Sequence, residues 1–462
     1  MVLNVLTHPS PVLDPALLPR TRAQGLYVHI PFCFHKCHYC DFYSITRQTP
    51  QRMARFVDLI LREAELWDGS PVTLRPRTLF FGGGTPTLLP LEQMNRLLLG
   101  LRQRIDFSDV TEWTIEANPA TVTSEYCAML RSHGVDRLSF GAQSFDPREL
   151  AVLERHHDPD DVPRSIELAR VAGFTRLNLD LIFAIPGQSL ESWERSLEAA
   201  LALGTPHLSC YGLTYEPNTP ITVRKRLGQV EPAEESLELD MLRHARRRLA
   251  ACGLGAYEIS NYARNNEECR HNLIYWTGGN YIGLGPSAAS HAGTPADSSA
   301  GPQGWRWRNR PHLGEWERAV EGEERDGVGI DGVTEWSSPR HTVTPSPRHL
   351  RTLAIDVEHL SPLRRAGELA MLLLRLSRGL SFADFSARTG FDARSIFADP
   401  IDRYTRVGLL ECDSQSLRLT DRGLVVADAL AAHFIAACDS PRDKVADRAP
   451  AMGPLHFLPD PS

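Results

Sequence analysis

The chain has no run of 18 or more apolar residues, so no segment is expected to cross a bilayer as a helix. A basic surplus is missing as well. Lysine and arginine number 50 against 57 aspartates and glutamates, and the formal net charge of −7 argues against non-specific nucleic-acid binding. A disulfide framework is also lacking. The nine cysteines are odd in number and scattered from Cys33 to Cys438, which fits a reducing, cytoplasmic setting with thiols free to hold metal. Residues 1–23 show no basic stretch followed by an apolar one, so they are not expected to be a secretory leader. Rich in Pro and Leu, they read as a loose extension. What is left is ordinary globular material, 42% hydrophobic and 23% charged, in 462 residues. That length accommodates a barrel-sized domain and a smaller one.

One further shortage concerns a motif. Cys33, Cys37 and Cys40 fall in the pattern CxxxCxxC directly after the β-type run Leu26 to Ile30, which Pro31 ends. A 4Fe–4S cube ordinarily takes four cysteines. With three, one iron has no protein ligand and is open to a small molecule. A structural Cys₃His zinc site, with His29, His35 or His38 as fourth ligand, is the alternative on the loop alone. Unrelated buried thiols fit poorly, because Phe34, Lys36, His38 and Tyr39 form no core-facing pattern.

After the loop, Met53, Phe56, Val57, Ile60, Leu61, Ala64 and Trp67 recur at helical spacing. Short β-type runs then alternate with helical ones. Strands are expected at Thr78–Phe81, Trp113–Ala117, Asp136–Gly141, Arg176–Ile182 and His207–Tyr211, with helices between and after them. Counting the run before the cysteines, this gives six β/α units. The pattern implies an α/β fold: an open six-stranded (β/α)6 partial TIM-type barrel, with a doubly wound sheet as competitor. Conspicuous residues fall at strand ends: the cysteines, Gly82-Gly83-Gly84-Thr85-Pro86, Glu116, Gln143 and Asp180. That rim is where parallel barrels build their sites. The Gly run either brings backbone close to a ligand head group or is a plain turn.

An edge strand is expected at Ala256–Ser260, and two glycines near Tyr281–Ala289 suggest a close turn. The expected domains are residues 1–23, a loose extension; 24–330, the barrel and its extension; 331–360, a Gly-, Ser- and Pro-rich linker or insertion; 361–437, winged-helix-like; and 438–462, a tail. In the winged-helix-like part, helices are expected at 368–377, 381–389 and 393–407, then a hairpin and a last helix. Its candidate recognition helix balances Asp392, Asp399 and Asp402 against Arg394, Arg403 and Arg406, which suits phosphate contact poorly and a covering lid better.

CxxxCxxC followed by an aromatic loop and GGGTP resembles the radical S-adenosylmethionine enzymes. The fuller set resembles the oxygen-independent coproporphyrinogen III oxidase group over about Gly25 to His291. It comprises Tyr27–Cys33, Gly82–Thr87, Ile115–Pro119, Ser139–Ser144, Arg155-His156-His157 and Asn178–Ile182. The resemblance implies a 4Fe–4S cluster on Cys33, Cys37 and Cys40, its open iron chelating S-adenosylmethionine. It implies that Tyr27 and Tyr39 line that cofactor and that Gly83, Gly84 and Thr85 hold its methionine part. Glu116, Gln143, Arg155 and Asp180 would contact ribose or carboxylate, with Thr214 and Ala289 near the adenine or a second molecule. Asp41-Phe42 stands where the oxidase has Gly-Cys, and the N-terminal extension is short. Both departures match a haem-chaperone branch of the family, as does His271-Asn272-Leu273-Ile274-Tyr275-Trp276. The resemblance therefore implies haem as a further ligand, with His271 as axial donor, Tyr275 and Trp276 as walls, and His156, His157 and His291 as reserves; a packed histidine beside a core Trp is the alternative for His271. Expected partners are haem, acceptor haemoproteins and S-adenosylmethionine, with any membrane contact peripheral and made through acceptors. A monomer or dimer is expected, and no nucleic acid. The enzymatic alternative is oxidative decarboxylation of coproporphyrinogen III to protoporphyrinogen IX, driven by hydrogen abstraction from the propionate chain.

Overall fold

The computed structural model describes residues 12–294, 301–322 and 347–438. Six parallel strands lie side by side in chain order: β1 (Thr21–Ile30), β2 (Val72–Gly83), β3 (Glu112–Ala117), β4 (Arg137–Gln143), β5 (Arg176–Phe183) and β6 (His207–Gly212). This is the expected open α/β half-barrel. Their buried residues are mainly Val, Ile, Leu and Phe, as strands covered on both faces require. The first crossover helix, Pro50–Glu65, shows how local signals set an element. Thr49 caps it by accepting from the Arg52 N–H at 3.2 Å, Pro50 opens it, and Met53, Phe56, Val57, Ile60 and Leu61 are buried on one face. Each such side chain contributes about 1.5–3 kcal/mol of burial.

The sheet extends well beyond the six expected strands. Past β6, the short antiparallel strands β7 (Gly255–Ala256) and β8 (Asn261–Ala263) flank the stretch expected as one edge strand. On the other side, β9 (Tyr281–Leu284) runs parallel to β1, followed by antiparallel β10 (Ala289–Gly293), β11 (Gly304–Asn309) and β12 (Ala354–Leu360). Among the described residues twelve strands thus form one sheet with β1 inside it and its two edge strands not paired with each other. Glu63 fastens this extension. It is fully buried and accepts from the Gly285 N–H at 2.7 Å, Asn309 Nδ2 at 2.6 Å and Trp316 Nε1 at 2.9 Å. Burial pushes its carboxyl up to about 8, against the pull of these three hydrogen bonds.

Two expected boundaries shift. β1 already begins at Thr21, and Leu13 and Leu18 are buried against the core, so the chain is held well before residue 24. Residues 350–360, expected as linker, form a short helix and β12, which pairs with β11. The rest of that stretch, 331–346, and the tail beyond 438 lie outside the described residues.

A second core holds the C-terminal unit, where helices Pro362–Leu374, Phe382–Thr389, Ala398–Arg406 and Ala427–Ala436 surround Phe385, Phe397 and Phe434. A small sheet of β13 (Leu380–Ser381), β14 (Leu410–Cys412) and β15 (Ser416–Leu419) forms the wing. The helix expected over 393–407 breaks at Phe397, because Pro400 has no N–H for the Ile396 carbonyl and its ring crowds that group.

Candidate functional site

The cysteines occupy a loop that the fold closes at its base. Beyond Ile30, Phe32 is fully buried against Phe56, and the Cys33 N–H donates to the Ile45 carbonyl at 3.0 Å while the Ile45 N–H donates to that of Pro31 at 2.8 Å. The three thiols remain half-exposed on the C-terminal rim. Thr85 directs its hydroxyl at Cys33 Sγ (3.9 Å), and Arg155 directs Nη1 at Cys37 Sγ (3.7 Å) while Nη2 donates to the Gly141 carbonyl (2.6 Å). Burial raises the Cys33 thiol, against the pull of Thr85 and Ser44, and pushes Cys40 up to about 11. Without an added cation these thiols hold their protons, and a metal centre would ionise them.

The donor set fits a polynuclear cluster better than zinc. Thiolates on one tetrahedral zinc stand about 3.8 Å apart, given bonds of about 2.3 Å. Among the described residues, the cysteine sulfurs do not converge within 4.8 Å of one another. His29 cannot be the fourth ligand either. Its Nδ1 bonds the Tyr27 hydroxyl at 3.1 Å and its Nε2 the Tyr43 carbonyl at 2.8 Å.

The glycine run lies directly against this loop. The Gly84 N–H donates to the Ile30 carbonyl at 2.9 Å, and the Thr85 N–H to that of Phe32 at 2.7 Å. A side chain on Gly84 would sit 2.7 Å from both carbonyl oxygens, and Gly83 has φ of +100°, so both positions require glycine. Gly83 also donates its N–H to Glu116 Oε2 at 3.3 Å.

Tyr27, Gly83, Glu116, Asp180, His271 and Ala289 line one cavity of about 560 Å³, which Asp41, Phe42 and Tyr43 border from the cysteine loop. Its polar floor is a network on β4, β5 and β6. Asp180 accepts from Ser139 Oγ at 3.1 Å and Asn178 Nδ2 at 2.9 Å, and Asn178 reaches Ser209 at 3.1 Å. Burial pushes Glu116 up to about 8, and the nearby Asp180 charge adds to this. Burial also raises Asp180. Arg137 is the cation that partly relieves both. Sequence reasoning missed Arg137, Ser139 and Ser209 as lining residues. The available signal was their alternate-residue spacing behind the rim on adjoining strands.

The remaining expected residues divide. Tyr39 and Arg155 gather round the cysteines, and Tyr39 is half-buried beside the Arg155 charge. Gln143 ends β4 in a left-handed conformation, φ 63°, at an irregularity in the β4–β5 pairing. Thr214 stands apart: exposed, its hydroxyl reaches the Gly212 carbonyl at 3.5 Å, and it does not line the cavity.

His271 has partners on both sides of its ring. It sits on the short helix Arg270–Trp276, fully buried, stacked on Phe80 at 5.3 Å. Both ring nitrogens are engaged, Nδ1 with the Thr78 hydroxyl and Nε2 with the Tyr275 hydroxyl, each at 2.8 Å. Burial pushes it down to about 4, so the ring is neutral. Neither nitrogen is open to iron. Tyr275 does line the cavity, but Trp276 turns away to the C-terminal core, with the Arg375 guanidinium 5.0 Å over its ring. Of the reserves, His157 and His291 are also buried and bonded, and His156 is exposed.

A cysteine loop after the first strand, a glycine loop after the second and an open parallel half-barrel together define the radical S-adenosylmethionine class. The Radical SAM superfamily model matches residues 27–200, and the HemN C-terminal domain model matches residues 360–426. The solved structure of coproporphyrinogen III oxidase (HemN) from Escherichia coli superposes with a TM-score of 0.71 over 91% of this chain and 92% of that one, at 20% identity, which speaks to the fold alone. Heme chaperone HemW of Mycobacterium tuberculosis is 33% identical over 429 residues, covering 91% of this chain and 97% of that protein. HemW of Bacillus subtilis is 37% identical over 282 residues, covering 60% and 74%. This chain belongs to the HemW family.

Proposed function

We propose that the protein is a cytoplasmic haem chaperone. In this reading it holds a 4Fe–4S cluster on Cys33, Cys37 and Cys40, binds S-adenosylmethionine and haem, and passes the haem to acceptor haemoproteins. The observation that carries the reading is the cavity beside the cysteine loop, with buried carboxyls at its floor and an aromatic wall of Tyr27, Phe80, Tyr275 and Tyr281. When bound, the cluster supplies an open iron that chelates amino and carboxylate groups. The chain's own residues prepare the rest. Gly83 and Gly84 let backbone approach a head group, and Arg155 sets a fixed positive charge against Cys37. Glu116, held protonated near neutral pH by burial, would ionise beside a cationic ligand or accept from ribose hydroxyls. The flat rings suit a macrocycle, and Arg308 at the cavity edge suits a propionate.

The name borne by the relatives, heme chaperone, supports this reading, and so does Asp41-Phe42 where the oxidase has Gly-Cys. The test is anaerobic incubation of reconstituted protein with haem, and separately with coproporphyrinogen III, S-adenosylmethionine and a reductant. A stable haem complex, about four irons per chain, and no protoporphyrinogen IX are expected. Multiple turnovers of coproporphyrinogen III would make the protein an oxidase instead.

A further inference from the structure

The cysteine loop carries two histidines that a three-thiolate cluster does not use, His35 and His38, one on each side of Cys37. Both face Glu154. His35 Nε2 lies 3.4 Å from Glu154 Oε2, and His38 Nε2 lies 3.9 Å from Oε1. Glu154 is aimed there by a left-handed backbone, φ 56°, just past the helix Pro147–Val152. Two residues on, His156 sets its ring edge to face with His35, centroids 4.5 Å apart. One donor atom each from His35, Glu154 and His156 falls within 4.8 Å of the others. His35 Nε2 is shielded from solvent and has no hydrogen-bond partner. Arg224 engages His38 at Nδ1, 3.3 Å, which leaves Nε2 turned to the carboxylate.

We propose that His35, Glu154 and His156 bind a divalent transition-metal ion of the zinc type, apart from the three cysteines. Two imidazoles and a carboxylate suit zinc, cobalt or nickel and not calcium or magnesium, which favour all-oxygen sets. The convergence of three donors on one point also argues against a porphyrin iron, which takes protein ligands only along its axis. An ion here would tie the cysteine loop to the turn bearing Arg155, whose guanidinium faces Cys37. It would therefore slow loss of iron from the loop. The proposal depends on neither haem nor S-adenosylmethionine binding and stands or falls separately from them.

The test is calorimetric titration of anaerobically reconstituted protein with zinc chloride, with iron assayed before and after. One zinc per chain should bind with the iron content unchanged. The double variant His35→Ala/His156→Ala should bind it at least about tenfold more weakly. Its cluster absorbance should be retained as the control for folding. Glu154→Gln, which keeps the turn, should weaken zinc as well. Cobalt(II) in place of zinc should give visible bands of a nitrogen–oxygen site without thiolate charge transfer. Absence of zinc uptake would overturn the proposal, as would equal uptake by the double variant. Uptake matched by iron release would place zinc on the thiols and overturn it too. So would loss of haem binding in His156→Ala with zinc uptake unchanged, which would give that histidine to haem iron.

Discussion

His271→Ala separates a ligand from a structural residue. Removing the imidazole leaves the buried Thr78 hydroxyl and the Tyr275 hydroxyl without the partners they hold at 2.8 Å. Each of the two orphaned groups costs about 1–3 kcal/mol, and the lost stacking on Phe80 about 0.5–1.5 kcal/mol more, so roughly 2.5–7.5 kcal/mol in all. That is a large part of the 5–15 kcal/mol typical of a whole domain. Titration gives a second signature. Burial pushes His271 from 6.5 down to about 4, so the unfolded chain binds the proton more readily than the folded one. The neutral ring's contribution is therefore full above about pH 6.5 and is lost as pH falls towards 4, about 3 kcal/mol over that window. Urea unfolding of the ligand-free protein, followed by circular dichroism at pH 7 and pH 5, reads both effects. The variant should unfold at much lower urea and show a shallower loss of stability on acidification. His271→Asn, which keeps a donor and an acceptor, should recover part of the loss. An unchanged unfolding midpoint together with a displaced Soret band would refute this reasoning and restore His271 as the haem ligand.

Glu63→Gln should flatten the alkaline side of the stability profile. The folded carboxyl sits up at about 8, so it holds a proton that the unfolded chain releases near 4.5, and wild-type stability should fall between those values as pH rises. Parallel pH profiles for the two proteins would count against the argument. Arg155→Met removes the guanidinium from Cys37 and from the Gly141 carbonyl, a charge-assisted contact of about 1.5–3 kcal/mol. Cluster absorbance should then decay faster in an iron chelator, and an unchanged decay would mean Arg155 plays no part in holding the loop. Trp276→Ala should loosen the C-terminal unit, seen as faster proteolysis within 361–438, while leaving haem affinity intact; lost haem binding with unaltered proteolysis would return Trp276 to the haem site.

The six parallel units were legible because each is a local signal: hydrophobic period, cap and turn within a few residues, as at Thr49-Pro50 and Met53 to Leu61. The cysteine and glycine loops were legible for the same reason, since spacing along the chain fixes what a short loop presents. The extension β9–β12 was not. Its strands are short, and three pair antiparallel, so no local period marks them; what fastens the extension to the first crossover helix is Glu63, more than two hundred residues away from Gly285, Asn309 and Trp316. The fate of His271 was likewise a tertiary matter. Tyr275, within its own motif, takes Nε2, but only packing under β2 brings Thr78 to Nδ1 and Phe80 onto the ring face. The convergence of His35 with Glu154 and His156, over a hundred residues apart, is of the same kind. Sequence alone set the six β/α units and where the thiols stand, because those follow from neighbours along the chain. Which buried side chains are free to bind was decided by tertiary structure, because a hydrogen-bond partner can come from any strand that packing brings within 3 Å.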